Sequence, residues 1–240
     1  MKTPYKLGAK RSKYDPRDHK FSAAPLAPVL WDRMFYDMVN KDFRINQGGE
    51  GTCVGHGATN VLLAGPVEHD LFPEFETVER AHQFARNVYV SASGDTTYQT
   101  GMYPRDACSW LKTNGFLVSY AGATTVDDVT TALLTTAPVM IALPWYWSMF
   151  QGNSNMGDKK LHTAYGNYWV KVNMDSGLAG FHCVALTGID LSPDNGAPPY
   201  LRIQNSWGAE WGQNGTARLL VEDFRRLNMY DNWVFAEAVF

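Results

Sequence analysis

Pro138 divides this chain into two textures, and that division limits the folds open to it. Before it, apolar residues recur at the three- and four-residue spacing of helices. After it come short runs rich in β-branched and aromatic residues: VMIAL (139–143), YWVKV (168–172), CVALTGI (183–189), LRIQNSW (201–207), TARLLVE (216–222) and WVFAEAVF (233–240). Turn-rich segments such as GNSNMGD and SPDNGAPP separate them. Helices followed by strands predict an α+β fold, with a helical half at about 41–136 facing an antiparallel, barrel-like sheet half at about 137–240. A cleft between two such halves is a natural place for a site.

The helical half carries local start and stop signals. From Cys53, the residues Val54, Ala58, Val61, Leu62 and Gly65 keep helical spacing for about three turns, which places the cysteine in a first turn. Gly55 and Gly57 each cost roughly 1 kcal/mol there against Ala, so something is expected to pack very close to them. A second helix reads from Thr77 to Val90, and a third opens on Pro104 and stops at Gly115. Thr125 and Asp128 form a capping pattern ahead of Val129, Leu133 and Leu134.

With 240 residues, 45% hydrophobic and 13% aromatic, the chain can bury a core as one large domain or two intimate halves. No internal repeat or flexible linker divides it further. No apolar run approaches the roughly 20 residues of a membrane span, and the basic opening lacks the apolar block of a secretory signal; a cytoplasmic location is expected. The 3 cysteines, Cys53, Cys108 and Cys183, are too few and too widely spaced for a disulfide framework, which fits a reducing compartment. If a bridge forms, Cys108 and Cys183 are the candidates. The net charge of -3 hides an asymmetry. Residues 1–20 hold seven Lys or Arg and two Asp, leaving 14 basic and 22 acidic residues in the remainder. Such an arm has the charge to contact nucleic acid. Yet Tyr5, Tyr14 and Phe21 punctuate it and Pro16 breaks it, which suits a segment lying along an acidic body; neither a nucleic-acid nor a membrane partner is expected.

The stretch NQGGEGTCVGHGATN puts Cys53 behind a glycine-rich loop at a helix start, where free N–H groups favour a thiolate. A lone cysteine is more often a buried structural thiol, so the reading depends on partners. Acyl transfer needs an imidazole base, a group that orients it, and donors for the oxyanion. His182 heads an apolar strand, Asn205 offers an amide, Trp207 can shield their contact, and Gln47 can turn its side-chain NH₂ toward a carbonyl oxygen. Cys53 and His56 form a C-x-x-H fragment of the kind found in zinc sites, but no second paired fragment accompanies it, and neither metal nor cofactor is expected. Trp145, Tyr146 and Trp147 are either groove lining or core, and Glu50 either biases the cleft toward basic residues or is solvated.

The set Gln47-x5-Cys53, Gly180-Phe-His182 and Asn205-Ser-Trp207-Gly208, followed by Trp211-Gly212 and Gly215, resembles the papain-like cysteine peptidases. His and Asn follow the cysteine by 129 and 152 residues, in that family's order and close to its spacing. The resemblance spans about Asp15 to Phe240, with QNSWGAEWGQNG its most specific piece. It implies Cys53 as nucleophile, His182 as base and then acid, Asn205 as orienter, and Gln47 with the Cys53 N–H as oxyanion hole. Gly51, Gly101, Trp207 and Trp211 would border the substrate, a protein or peptide; a protein inhibitor is a further partner such an enzyme can have, and a monomer is favoured. Departures are Glu50 in place of a disulfide cysteine, Val54 in place of an aromatic, and Phe181 and Cys183 around the histidine. The opening YDPRDHKF resembles the N-terminal strip of propeptide-less bacterial and viral members, so activity without zymogen cleavage is expected. Two other readings stay open: a transglutaminase-like acyltransferase, against which Asn205 in place of Asp speaks, and a non-catalytic peptide-binding module on the same fold.

Overall fold

Close packing around α1 (Cys53–Ala64) organises the molecule. Every residue of this helix is buried, so it has no solvent face and must be covered on all sides. A Cβ on Gly55 would lie 2.2 Å from the carbonyl oxygen of Ala85 in α2 (Val78–Ser93), and one on Gly57 would lie 2.8 Å from Sγ of Cys183 in β4 (Leu178–Asp190). The two glycines therefore let α1 sit between another helix and the sheet, as their cost to the helix requires. The computed structural model from which these distances come describes residues 5–21, 32–34, 44–65, 75–150, 158–166, 168–191, 195–227 and 231–237.

Local signals fixed the other helix ends. The Thr77 side chain accepts from the Arg80 N–H to start α2, which ends on left-handed Gly94. Pro104 opens α3 (Pro104–Thr113), and Thr125 and Asp128 close a reciprocal capping box at the start of α4 (Val126–Thr135). One antiparallel sheet carries the rest: β2 (Leu117–Gly122), β7 (Asp231–Glu237), β3 (Val139–Tyr146), β4, β5 (Tyr200–Gln204) and β6 (Thr216–Leu220) lie in that order, and the short β1 (Asp32–Met34) pairs with β4. The sheet is open rather than closed on itself, which corrects the barrel-like expectation.

Apolar runs such as VMIAL lack alternation because both faces of β3 and β4 are buried. Met140, Ala142, Cys183 and Ala185 face the cluster around α1, α2 and α3, whereas Val139, Ile141, Leu143, Val184 and Leu186 face one with α4, Trp207 and Trp211. Sequence expectations fail where tertiary contacts overrule them. YWVKV is no strand: Trp169 makes a lone bridge to Arg218, whose guanidinium lies over the Trp169 ring. TARLLVE stops as a strand at Leu220 and turns into α6 (Val221–Arg226), whose Glu222 and Asp223 at the start and Arg225 and Arg226 at the end complement the helix dipole. Asp158 caps a further unexpected helix, α5 (Lys159–Tyr165). LVSYAG of the helical half is strand β2, paired with β7, so the sheet reaches back across the boundary placed near 137. GNSNMGD up to Gly157, and the last three residues of WVFAEAVF, lie outside the described residues. Among the described residues no helix is long and apolar enough to cross a membrane.

Candidate active site

Thr52 precedes α1 with no side-chain bond to its first turn, so the N-terminal amides stay available. Cys53 follows it, fully buried. Burial pushes its thiol up to about 11, against the pull of four backbone N–H groups that approach the sulfur, those of Cys183, Gly8, Ala9 and Cys53 itself. The Cys183 N–H near the sulfur belongs to β4, the strand that carries His182 one residue earlier.

His182 donates through Nε2 to Oδ1 of Asn205 at 2.8 Å, and the Ser206 N–H donates to the same oxygen at 2.8 Å. An amide oxygen only accepts, so Nε2 carries the proton and Nδ1 keeps its lone pair. Nδ1 is buried and has no hydrogen-bond partner. Trp207 stacks on the imidazole with ring centroids 4.5 Å apart, and Trp145 meets it edge-on at 4.9 Å. Trp207 thus lies over the imidazole that bonds Asn205, and buried Trp145 is core around that ring, not groove lining. Burial pulls His182 down to about 4, with the Asn205 hydrogen bond opposing. A raised thiol and a lowered imidazole both favour the uncharged pair in this covered state.

Gln47 is held on several sides. Its Oε1 accepts from Ser206 Oγ at 2.6 Å, its backbone N–H donates to the Ser206 carbonyl at 2.9 Å, and its Nε2 donates to the Glu50 carbonyl at 2.7 Å. Ser206 was not singled out from the sequence, although it stands inside the NSWG block; its hydroxyl fixes which way the Gln47 amide faces. Hydrogen bonds through Ser206 thus join Gln47, Asn205 and His182, while Cys53 meets β4 through the N–H of Cys183.

No protein-family model matches this chain, and no curated protein sequence does. Solved structures do. Xylellain, a cysteine protease from Xylella fastidiosa, superimposes with a TM-score of 0.68 over 99% of this chain and 97% of its own, at 16% identity. Digestive procathepsin L 3 of Tenebrio molitor gives 0.60 over 94% and 76% at 15% identity, and the bromelain protease of Ananas comosus 0.53 over 81% and 93% at 15%. The fold is papain-like.

Over these residues lies the chain's own N-terminal arm. Tyr5 stacks on Trp207 with centroids 4.4 Å apart and planes at 7°. The Lys6 carbonyl accepts from Gln47 Nε2 at 2.9 Å. Gly8 passes so close that a Cβ would stand 2.0 Å from the Gly51 carbonyl oxygen, while its own carbonyl accepts from the Met102 N–H at 2.8 Å. Ala9 donates to the Phe181 carbonyl at 3.3 Å, Lys10 donates to Met102 at 2.9 Å, and Ala9 bridges Met102 in parallel. Further along, Ser12 donates to Asp231, and Arg105 of α3 binds Asp18 at 2.6 Å and Asp15 at 2.7 Å. The arm thus touches the sulfur, the Gln47 amide, Gly51 and Trp207; a Cβ on Gly101 would lie 2.2 Å from the Gly8 oxygen.

Other expected residues fall elsewhere. Trp211 is buried behind Trp207, edge-on at 5.8 Å, so it props that ring and does not border an opening. Glu50 is neither free nor solvated: it pairs with Arg86 of α2. Cys108 and Cys183 are free buried thiols whose pKa burial raises, so the bridge considered for them is absent. His56 bonds to His82 of α2, a partner the spacing alone did not reveal. Among the described residues no group of three or more His, Cys, Asp or Glu is arranged to hold a metal ion.

Proposed function

We propose that the chain is a cysteine peptidase that hydrolyses peptide bonds through a thioester, with Cys53, His182, Asn205 and Gln47 in the roles named above. One observation carries the reading: beside a buried thiol, Gln47 Nε2 already holds a peptide carbonyl oxygen, that of Lys6, at 2.9 Å. A substrate carbonyl in that place would be polarised where negative charge develops.

Nδ1 of His182 takes the thiol proton, and the thiolate attacks the carbonyl carbon. The C=O electrons move onto oxygen, facing Gln47 Nε2 and the Cys53 N–H. Collapse breaks the C–N bond, and the imidazolium gives its proton to the departing amine. Water then attacks the thioester, Nδ1 accepts its proton, the C–S bond breaks, the imidazolium returns that proton to the sulfur and the carboxylic product leaves. Asn205 holds the ring throughout, and Trp207 keeps water from that hydrogen bond.

The arm fills the same track, so substrate enters only when the arm leaves. The covering segment belongs to the chain itself, so its release need not involve zymogen cleavage. An epoxide peptide with varied side chains tests the reading. It should modify Cys53 stoichiometrically and abolish turnover on a peptide library. Hydrolysis that survives Cys53→Ala would overturn it, and amine-dependent products in place of acids would favour acyl transfer.

A further inference from the structure

His56 stands one helical turn after Cys53, fully buried and outside the chemistry described above. Its Nδ1 lies 3.1 Å from the carbonyl oxygen of Thr52, and its Nε2 lies 2.9 Å from Nδ1 of His82. A carbonyl only accepts, so His56 carries its proton on Nδ1 and presents a lone pair at Nε2. His82 must then donate through Nδ1. This polarity leaves one vacancy in the pair: Nε2 of His82 can take a proton while both hydrogen bonds persist. His82 is half-buried on α2, and through it the buried ring reaches toward solvent.

We propose that His56 and His82 form a second imidazole pair of the active site, which positions the Thr52–Cys53 turn and, in acid, takes up one proton that places positive charge behind the thiol. The inference rests on the cysteine-peptidase reading. His56 links the thiol to that charge: residues three apart on a helix have Cβ atoms roughly 5–6 Å apart, and the His82 ring is one 2.9 Å hydrogen bond beyond His56 Nε2. The turn is also tied to α2 a second time. Arg86, one turn along from His82, binds Glu50, whose side chain accepts from Thr52 Oγ1 at 3.5 Å and whose carbonyl accepts from Gln47 Nε2. Both the nucleophile and the oxyanion donor are therefore braced against the same face of α2.

The groups facing the pair set when it charges. Around His82, burial and the Arg86 cation disfavour the proton, while Glu50 and Glu79 favour it. For His56, burial dominates, with the His82, Arg86 and His182 charges adding to it, and its own pKa falls to about 3. The first proton accordingly goes to His82. Positive charge on the pair favours the thiolate and disfavours a second cation at His182, whose charge in turn disfavours one on His56. Turnover would mix these opposed effects, so thiolate reactivity is the cleaner readout.

The test uses the full chain and two substitutions. His82→Asn keeps an N–H near the position of Nδ1 but cannot take a proton; His82→Ala loses both. Alkylation of Cys53 by neutral iodoacetamide is followed by intact mass from pH 4 to 9, and imidazole ¹⁵N shifts are recorded alongside. The wild type should react about tenfold faster than His82→Asn below the titration of His82, the factor for one unit of thiol pKa. The two should coincide above pH 7. His82→Ala should be slower at every pH, and the ¹⁵N shifts should show His56 protonated on Nδ1 throughout. Superimposable wild-type and His82→Asn profiles would overturn the proposal, as would a His82 ring that takes up no proton above pH 4. If Cys53 reacts at no pH in any form, the peptidase reading fails instead; the ¹⁵N titration then decides the pair, which stands if His82 takes up its proton with His56 still protonated on Nδ1 and falls otherwise.

Discussion

Replacing Tyr5 by alanine should open the cleft, and the size of the effect follows from its contacts. The ring lies flat on Trp207, with centroids 4.4 Å apart and planes at 7°. Such stacking contributes about 1 kcal/mol beyond area burial. Tyr5 is half-buried, and half of the 1.5–3 kcal/mol for burying a large apolar side chain adds roughly 1 kcal/mol. Losing about 2 kcal/mol shifts the balance between covered and open forms by roughly 30-fold. While open molecules are the minority, the rate at which a neutral alkylating agent modifies Cys53 rises by that factor, read by intact mass at fixed pH. Tyr14→Ala serves as control, because Tyr14 is 84% exposed, and should leave the rate unchanged. Equal rates for Tyr5→Ala and the wild type would refute the argument that this stack holds the arm over the thiol. A rise of equal size in the control would show general loosening of the arm instead.

Three further outcomes are expected. Gln47→Ala removes the proposed oxyanion donor and should lower kcat by roughly 10²–10³ with a smaller change in KM, measured on a peptide substrate, whereas Ser206→Ala, which frees the Gln47 oxygen, should lower it less. Burial holds His56 at about 3 and His182 at about 4, so the unfolded chain binds more protons as pH falls below about 6.5. Their contribution to stability is thus intact above about 6.5 and is lost at about 1.4 kcal/mol per pH unit for each ring as pH falls toward the folded values; urea midpoints at pH 7 and 5 should show it, and His56→Asn should flatten the slope. Gly57→Ala places a methyl 2.8 Å from Cys183 Sγ and should cost about 1–3 kcal/mol by the same denaturation assay, so an unchanged midpoint would argue against tight packing of α1 on β4.

What the sequence determined by itself was local. The Thr125 and Asp128 box, Pro104 at the start of α3 and the apolar stretch after Cys53 each act within one or two turns of their own position, so their elements form as expected. The sequence also proposed Gln47, Cys53, His182 and Asn205 from their types and order, and the structure joins His182 to Asn205. Elements that depend on distant partners were not. YWVKV has β-type composition yet makes one bridge, because Trp169 packs among Tyr200, Ala197 and Arg218. LVSYAG becomes a strand because β7 comes alongside it. The tertiary structure alone decided that His56 meets His82, that Ser206 turns the Gln47 amide, and that residues 5–10 lie over the thiol. These contacts join positions 26 to 159 apart, and register between distant segments is set by packing, which short-range periodicity does not encode.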